Sequence, residues 1–301
     1  ESKPSWWNLL VSPEKARRVY DAPRKGILWG WEVPAYLWTK SISAGAALMA
    51  FSLSIFGAGS VQLEWAGAVL GLVFLAITGL LLIADLDRPD RFLYVLFRPH
   101  WQSWLVRGAY IITGFGGLLT LWMISRLAGW EVVAEGTTLL SIPFAIMSAV
   151  YTALLFAQAK GRDHWQNPML SVNMFLHSVM TGASALLLVL AVAGWSEEAA
   201  MKTLATILLW SVVAHLVLMM LEMLTRHPTK DSQLAAQMIV KGEFRSLFWL
   251  GVIFVGNIVP ILLLSISPLS IVASLAVVCV LVGVALSNYL LVRVPQLIPL
   301  S

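Results

Sequence analysis

Apolar residues in this chain run in long blocks, each about the length needed to cross a lipid bilayer as a helix. Eight such blocks stand out, near residues 34–57, 66–85, 105–128, 138–159, 168–194, 201–225, 246–266 and 269–292. Pro34, Pro168 and Pro268 fall at or just before the starts of three of them, where a missing N–H costs little. Trp and Tyr gather near block ends, as interfacial anchors do. The pattern predicts an all-α integral membrane protein of eight transmembrane helices, preceded by an arm over residues 1–33 at the membrane surface.

Composition agrees with the pattern. Hydrophobic residues make up 59% of the chain and charged residues 12%, against about 25% charged in a typical soluble domain. A soluble enzyme is excluded. The single cysteine, Cys279, forms no internal disulfide and cannot by itself hold an iron–sulfur cluster. The start of the chain, Glu1 to Trp7, lacks the apolar core of a cleavable signal sequence. Of the 20 Lys and Arg, 17 fall in the arm, the 86–107, 160–167 and 226–245 loops and the C-terminus. The positive-inside rule then puts both termini in the cytoplasm, although a basic face that docks a partner subunit would give the same bias. The net charge of +4 thus reflects topology and implies no nucleic acid.

Sliding the chain against itself by about 137 residues superposes Gly45-Ala46 on Gly182-Ala183, Lys40 on His177, Asp85 on Glu222 and Tyr151 on Asn288. Each match is weak alone. Together they set polar residues at like depths of helices 1 and 5, 2 and 6, and 4 and 8. An even number of helices per unit gives a parallel repeat. The expected architecture is two side-by-side four-helix bundles, residues 34–160 and 161–301, the second with the C-terminal tail.

Ionisable groups inside spans need a reason, since each costs roughly 2.5–3.5 kcal/mol near a helix centre by insertion scales. Lys40 lies six residues beyond Pro34, about 9 Å into its helix at 1.5 Å per residue. Asp85 ends the second helix on the same side, so the two can meet as a structural ion pair or as a proton-handling pair; Lys40 can also snorkel to the interface. His177 and Glu222 repeat the arrangement in the second half, as packing residues or as a relay. His177 and His215 also lie within about 4–5 Å in depth, which leaves open a b-type haem clamp.

The most distinctive stretch is the loop Asp85-Leu86-Asp87-Arg88-Pro89-Asp90-Arg91-Phe92, followed by Arg98-Pro99, Trp101 and Ser103-Trp104 to Arg107-Gly108. It reads as a solvated interfacial loop, or as a surface whose tryptophans pack on membrane and partner together. Here the sequence resembles the NrfD/PsrC-type family, the membrane anchor subunits of polysulfide-reductase-like complexes. The family pattern is Asp-Leu-Gly-Arg-Pro, an acid, Arg-Phe, then Arg-Pro and Ser-Trp-x-x-Arg-Gly; Asp87 departs from its glycine. Tyr36-Leu37 to Ala44-Gly45-Ala46, the Tyr-Thr-x-Leu-Leu stretch at Tyr151 and the Trp165–Pro168 segment also fit. The resemblance covers residues 28 to 292.

The resemblance implies eight helices in two bundles with no metal or haem in this chain, and no catalytic residue of its own. It implies a quinone pocket, for menaquinone or ubiquinone, at the end of the first bundle facing an iron–sulfur subunit. That subunit would serve a catalytic subunit, a molybdopterin enzyme or a cytochrome, in a bacterial or archaeal cytoplasmic membrane. The matching quinone-binding positions are Tyr151 and the Trp31–Tyr36 segment, with Glu32 and Tyr36. Lys40, Asp85, His177 and Glu222 are the candidates for proton transfer on the argument from burial. Arg88, Arg91, Arg98, Trp101, Trp104 and Arg107 are those for docking the partner. A secondary transporter, which also uses parallel repeats, is the alternative from a different class.

Overall fold

A computed structural model describes residues 29–86, 94–195, 197–224, 229–266 and 271–298. Among these there is no strand. The long helices are α1 (Glu32–Ile55), α2 (Val61–Ala84), α3 (Trp104–Ala128), α4 (Glu131–Ala157), α5 (Met169–Ala193) and α6 (Glu198–Leu224). A short surface helix α7 (Lys230–Val240) follows, then α8 (Leu247–Ile258 continuing as Val259–Ile266) and α9 (Ile271–Arg293). Seven of them, α2 to α6, α8 and α9, are long and apolar enough to cross a membrane. The chain is a multi-pass membrane protein.

The helix ends follow local chemistry. The Ser60 side chain caps α2 by accepting from the Leu63 N–H at 3.1 Å, satisfying a donor that the first turn leaves orphaned. Thr229 does the same for α7. α3 and α5 stop at Gly129 and Gly194, whose φ of +72° and +65° only glycine adopts without strain. α7 buries Ser232, Ala235, Ala236 and Ile239, a three-and-four spacing that lays one face on the bundle.

α1 differs from its neighbours. It is 24 residues long but is not among the helices apolar enough to cross by composition. It is enclosed by α2, α4, α5 and α9 and buries nearly every residue from Thr39 to Ala50. A helix that meets protein on all sides has no need of the bulky apolar surface that lipid demands, and its Ser41-Ile42-Ser43-Ala44-Gly45-Ala46-Ala47 run instead permits close packing. At the α1–α5 crossing, a Cβ built on Gly45 would lie 1.8 Å from the Ser178 carbonyl oxygen, and one on Gly182 would lie 2.0 Å from the Gly45 carbonyl carbon. The helices touch backbone to backbone. The outer surfaces carry exposed Leu80, Val192, Trp210, Leu250 and Leu262, which lipid tolerates and water would not.

α8 opens as a π-helix over Leu247–Ile258, a wider coil that is uncommon and concentrated at functional positions. Within it the Asn257 amide donates to the Val252 carbonyl, five residues back, at 2.7 Å.

Candidate functional site

Two polar clusters lie inside this apolar frame, and α1 builds the first. Thr39 and Ser43 face α2: the Thr39 hydroxyl lies 2.8 Å from that of Thr78, and Ser43 donates to the Gly71 carbonyl at 2.7 Å. Position 40 is turned about 100° from position 39, toward α4. The Lys40 ammonium donates to the Thr152 hydroxyl and to the Ala149 carbonyl at 3.4 Å, and lies 4.5 Å from the centre of the Tyr151 ring. Its side chain is 0% exposed. The pair expected between Lys40 and Asp85 is therefore not formed; among the described residues no carboxylate reaches Lys40, because its helical face points to α4.

Tyr36, one turn before Lys40 on the same face, is buried and within electrostatic range of Tyr151 and Asp85. Asp85 sits half-buried as the C-cap of α2. Gly108 makes room for Tyr151: a Cβ there would lie 2.2 Å from the ring. At the same end Trp29, Phe156 and Trp165 stack on one another with centroids 4.8–5.2 Å apart. The Gln296 side chain holds the Trp29 backbone from both sides, at 2.9 and 3.1 Å. Trp31 stands apart, 68% exposed, lining a crevice of about 200 Å³ with Pro34, Tyr289 and Arg293. Glu32 is half-buried, its carboxylate against Gly30.

The second cluster is a continuous hydrogen-bonded chain. His177 Nδ1 lies 3.1 Å from Asn288 Oδ1, His177 Nε2 lies 3.1 Å from His215 Nε2, and His215 Nδ1 lies 2.8 Å from Asn257 Oδ1. The two imidazoles are 2% and 1% exposed. The expected partner Glu222 is elsewhere: it accepts from the Asn167 amide at 2.7 Å, nearer the helix end. The repeat register paired Asn288 with Tyr151, yet Asn257 carried no signal beyond its place in an apolar span.

A third polar group lies at the opposite end, and the sequence pattern did not reveal it. Glu64 is buried and bonded to Arg126 at 2.6 Å and to Ser54, while Arg126 also meets Glu131 at 2.7 Å. A buried acid two residues before an apolar block, and an arginine closing another, were the available signal.

In the 94–107 segment, Arg107 donates to the Trp101 carbonyl at 2.7 Å and lies over the Trp104 ring at 4.7 Å. Gln158 ties this segment to α4 through the Trp104 N–H at 2.8 Å and the Gln102 carbonyl at 2.9 Å. Arg98, Trp101 and Arg107 are exposed. Arg88 and Arg91 lie outside the described residues.

The sequence matches the family described as polysulphide reductase, NrfD, over residues 21–299. The chain belongs to the NrfD family. Among curated NrfD-like proteins, it is 25% identical over 272 residues to Protein NrfD of Escherichia coli (strain K12), covering 79% of this chain and 85% of that protein. It is also 22% identical over 184 residues to a putative dimethyl sulfoxide reductase membrane subunit of Halobacterium salinarum. That match covers 54% of this chain and 42% of the relative.

Proposed function

We propose that this NrfD-family chain is the quinone-reactive membrane anchor of a multi-subunit oxidoreductase, exchanging electrons with an iron–sulfur subunit that serves a catalytic subunit. The reading is supported by family membership and by the name of one relative, a reductase membrane subunit. The observation that carries it is the Lys40 ammonium, buried against Tyr151 with only neutral oxygen partners among the described residues. A buried cation without a counter-ion favours an electron-rich oxygen beside it, and the two phenols at the same helix ends add hydrogen-bonding groups.

Bound there, menaquinone or ubiquinone supplies a couple of two electrons and two protons. Tyr36 and Tyr151 orient the headgroup through their hydroxyls, and Lys40 exchanges a proton with it. Asp85, at the end of α2 and within electrostatic range of Tyr36, passes protons between the headgroup and the aqueous face. The Trp29–Phe156–Trp165 stack keeps bulk water out. Exposed Arg98, Trp101 and Arg107 and half-buried Trp104, with Arg88 and Arg91 beside them in sequence, form the docking surface. His177 and Glu222 handle protons in the second half of the molecule.

In this reading α1 is an eighth span, sheltered from lipid by its neighbours, and α1–α4 and α5–α9 form two bundles. Both termini face the cytoplasm of a bacterial or archaeal cell, as the basic loops suggest. The haem alternative has less support. The ε-nitrogens of His177 and His215 hydrogen-bond to each other, whereas a clamp would hold them on opposite faces of a porphyrin.

The test is quinol oxidation by the intact complex carrying Lys40→Met or Tyr151→Phe. Each lowers kcat/KM at least about tenfold, a loss of ~1.4 kcal/mol of transition-state stabilisation. Unchanged rates in both, with the complex assembled, remove this site from the reaction.

A further inference from the structure

The hydrogen-bond inventory of the second cluster does not close with two neutral imidazoles as the groups stand. Asn257 has a fixed orientation, because its Nδ2 donates to the Val252 carbonyl of the π-helix at 2.7 Å. Its Oδ1 therefore faces His215, and His215 Nδ1 must carry a proton to donate to it. At the other end Asn288 presents Oδ1 to His177 Nδ1, so His177 Nδ1 is protonated as well. A neutral imidazole carries one proton, which leaves both ε-nitrogens as lone pairs facing each other at 3.1 Å. Meanwhile Asn288 Nδ2 is buried without a hydrogen-bond partner.

Two changes each remove the conflict between the ε-nitrogens, with the outer atom of the Asn288 amide unpaired in both. One added proton between the ε-nitrogens turns the pair into an imidazole–imidazolium bridge. Alternatively, a half-turn of the Asn288 amide puts Nδ2 on His177 Nδ1, and His177 Nε2–H then donates to His215 Nε2 with both rings neutral. The two states differ by one proton and one amide rotation.

A pocket approaches the pair on one side. Asn173, one turn before His177, and Ser287, next to Asn288, line a pocket of about 60 Å³ together with His164, Asn167 and Glu222. That volume holds a few waters, and the buried Asn173 Oδ1 has no hydrogen-bond partner. Away from the pocket, the same helices give apolar Leu208, Val212, Val280 and Val284 to the core, together with the buried hydroxyls of Thr181, Ser184 and Ser211. The helices around the pair carry as titratable or charged groups Glu32, Tyr36 and Lys40 on α1, Glu131, Glu135 and Tyr151 on α4, Glu198, Lys202 and Glu222 on α6, and Cys279, Tyr289 and Arg293 on α9. α8 carries none, and none of these groups hydrogen-bonds to either ring.

We infer that His177 and His215 form a one-proton store, switched by rotation of the Asn288 amide and filled and emptied from the Glu222 pocket. The inference rests on the proton-handling role given above to His177 and Glu222, and not on the quinone site.

The test is nitrogen NMR of the full chain in lipid bilayers, with labelled histidine and with His100, His164 and His227 replaced by glutamine so that only the pair is observed. Across a titration from about pH 8 down to the lowest pH at which the chain stays folded, the two rings respond together in a single one-proton step. The acid form shows one proton coupled to both ε-nitrogens. Rings that keep fixed tautomers throughout, or that titrate independently by two protons, overturn the proposal. The readout needs no quinone: a chain that stores the proton but fails the Lys40 and Tyr151 test separates the two readings.

Discussion

Replacing Gly182 with alanine puts a methyl group into the closest helix crossing among the described residues, that of α1 and α5. The new Cβ would lie 2.0 Å from the Gly45 carbonyl carbon, while ordinary contact begins at 3.4 Å. The obstacles are backbone atoms of a buried helix, so no side chain can swing aside. α1 and α5 must part by about 1.4 Å at the crossing. A gap of 0.5–1 Å already forfeits about a quarter to a half of each dispersion contact. Overpacking costs typically about 1–3 kcal/mol, and a rigid backbone obstacle places this substitution near 3 kcal/mol. Gly45→Ala meets the Ser178 carbonyl oxygen and costs about as much. Because both substitutions open one gap, the double variant loses clearly less than the two single losses added. Gly79→Ala and Gly117→Ala, where a Cβ meets nothing within 4 Å, serve as controls and gain up to about 1 kcal/mol from helix propensity. The assay is reversible unfolding in mixed micelles. Losses below about 0.5 kcal/mol for both single variants would refute the backbone contact between α1 and α5.

Other substitutions probe the remaining polar contacts. Glu64→Ala strips a partly buried Arg126 of its better partner and costs about 3 kcal/mol, whereas Glu131→Ala, at the exposed side of the same arginine, costs under about 1 kcal/mol; thermal unfolding of the two distinguishes them. Gly108→Ala drives Tyr151 off its position above Lys40 and weakens quinone binding about tenfold in a direct titration, with the fold retained. Arg162 donates to the carbonyls of Pro295 and Ile298. Burial pulls its guanidinium below the ordinary arginine range, but it stays charged at neutral pH. Arg162→Ala therefore exposes the 294–298 segment to limited proteolysis and costs about 2 kcal/mol, and lysine restores only part of it.

The apolar blocks located the long helices because each must bury its backbone bonds internally and cover itself with apolar side chains. The same signal set boundaries badly where polar residues pair. α2 begins at Val61 rather than near 66 because Glu64 is paired with Arg126 inside the protein, and α4 begins at Glu131 through the same arginine. α7 was hidden in a basic loop, since its buried face is mostly small residues. The π-helical opening of α8 leaves no mark on a block that is apolar all round. Within the candidate site, Lys40 was legible as a costly group inside a span, and Tyr36 and Tyr151 through the family resemblance. Their partners were not: the Lys40–Thr152 bond spans 112 residues, and whether a lysine turns toward α2 or α4 is set by helix rotation, which Thr39 and Ser43 fix through contacts visible only in three dimensions. The same holds for Asn257, which one hydrogen bond to His215 turns from a stray polar residue into the end of a hydrogen-bonded chain.

The central claim concerns a quinone and a partner, and purification from the native membrane in mild detergent tests both together. Subunits that stay bound are identified, and lipid-soluble quinones are extracted and counted against the chain. The account predicts an iron–sulfur subunit and about one quinone per chain, with the quinone lost in Tyr151→Phe and Lys40→Met preparations that still hold the partner. A stable chain recovered alone, with neither partner nor quinone, would contradict it.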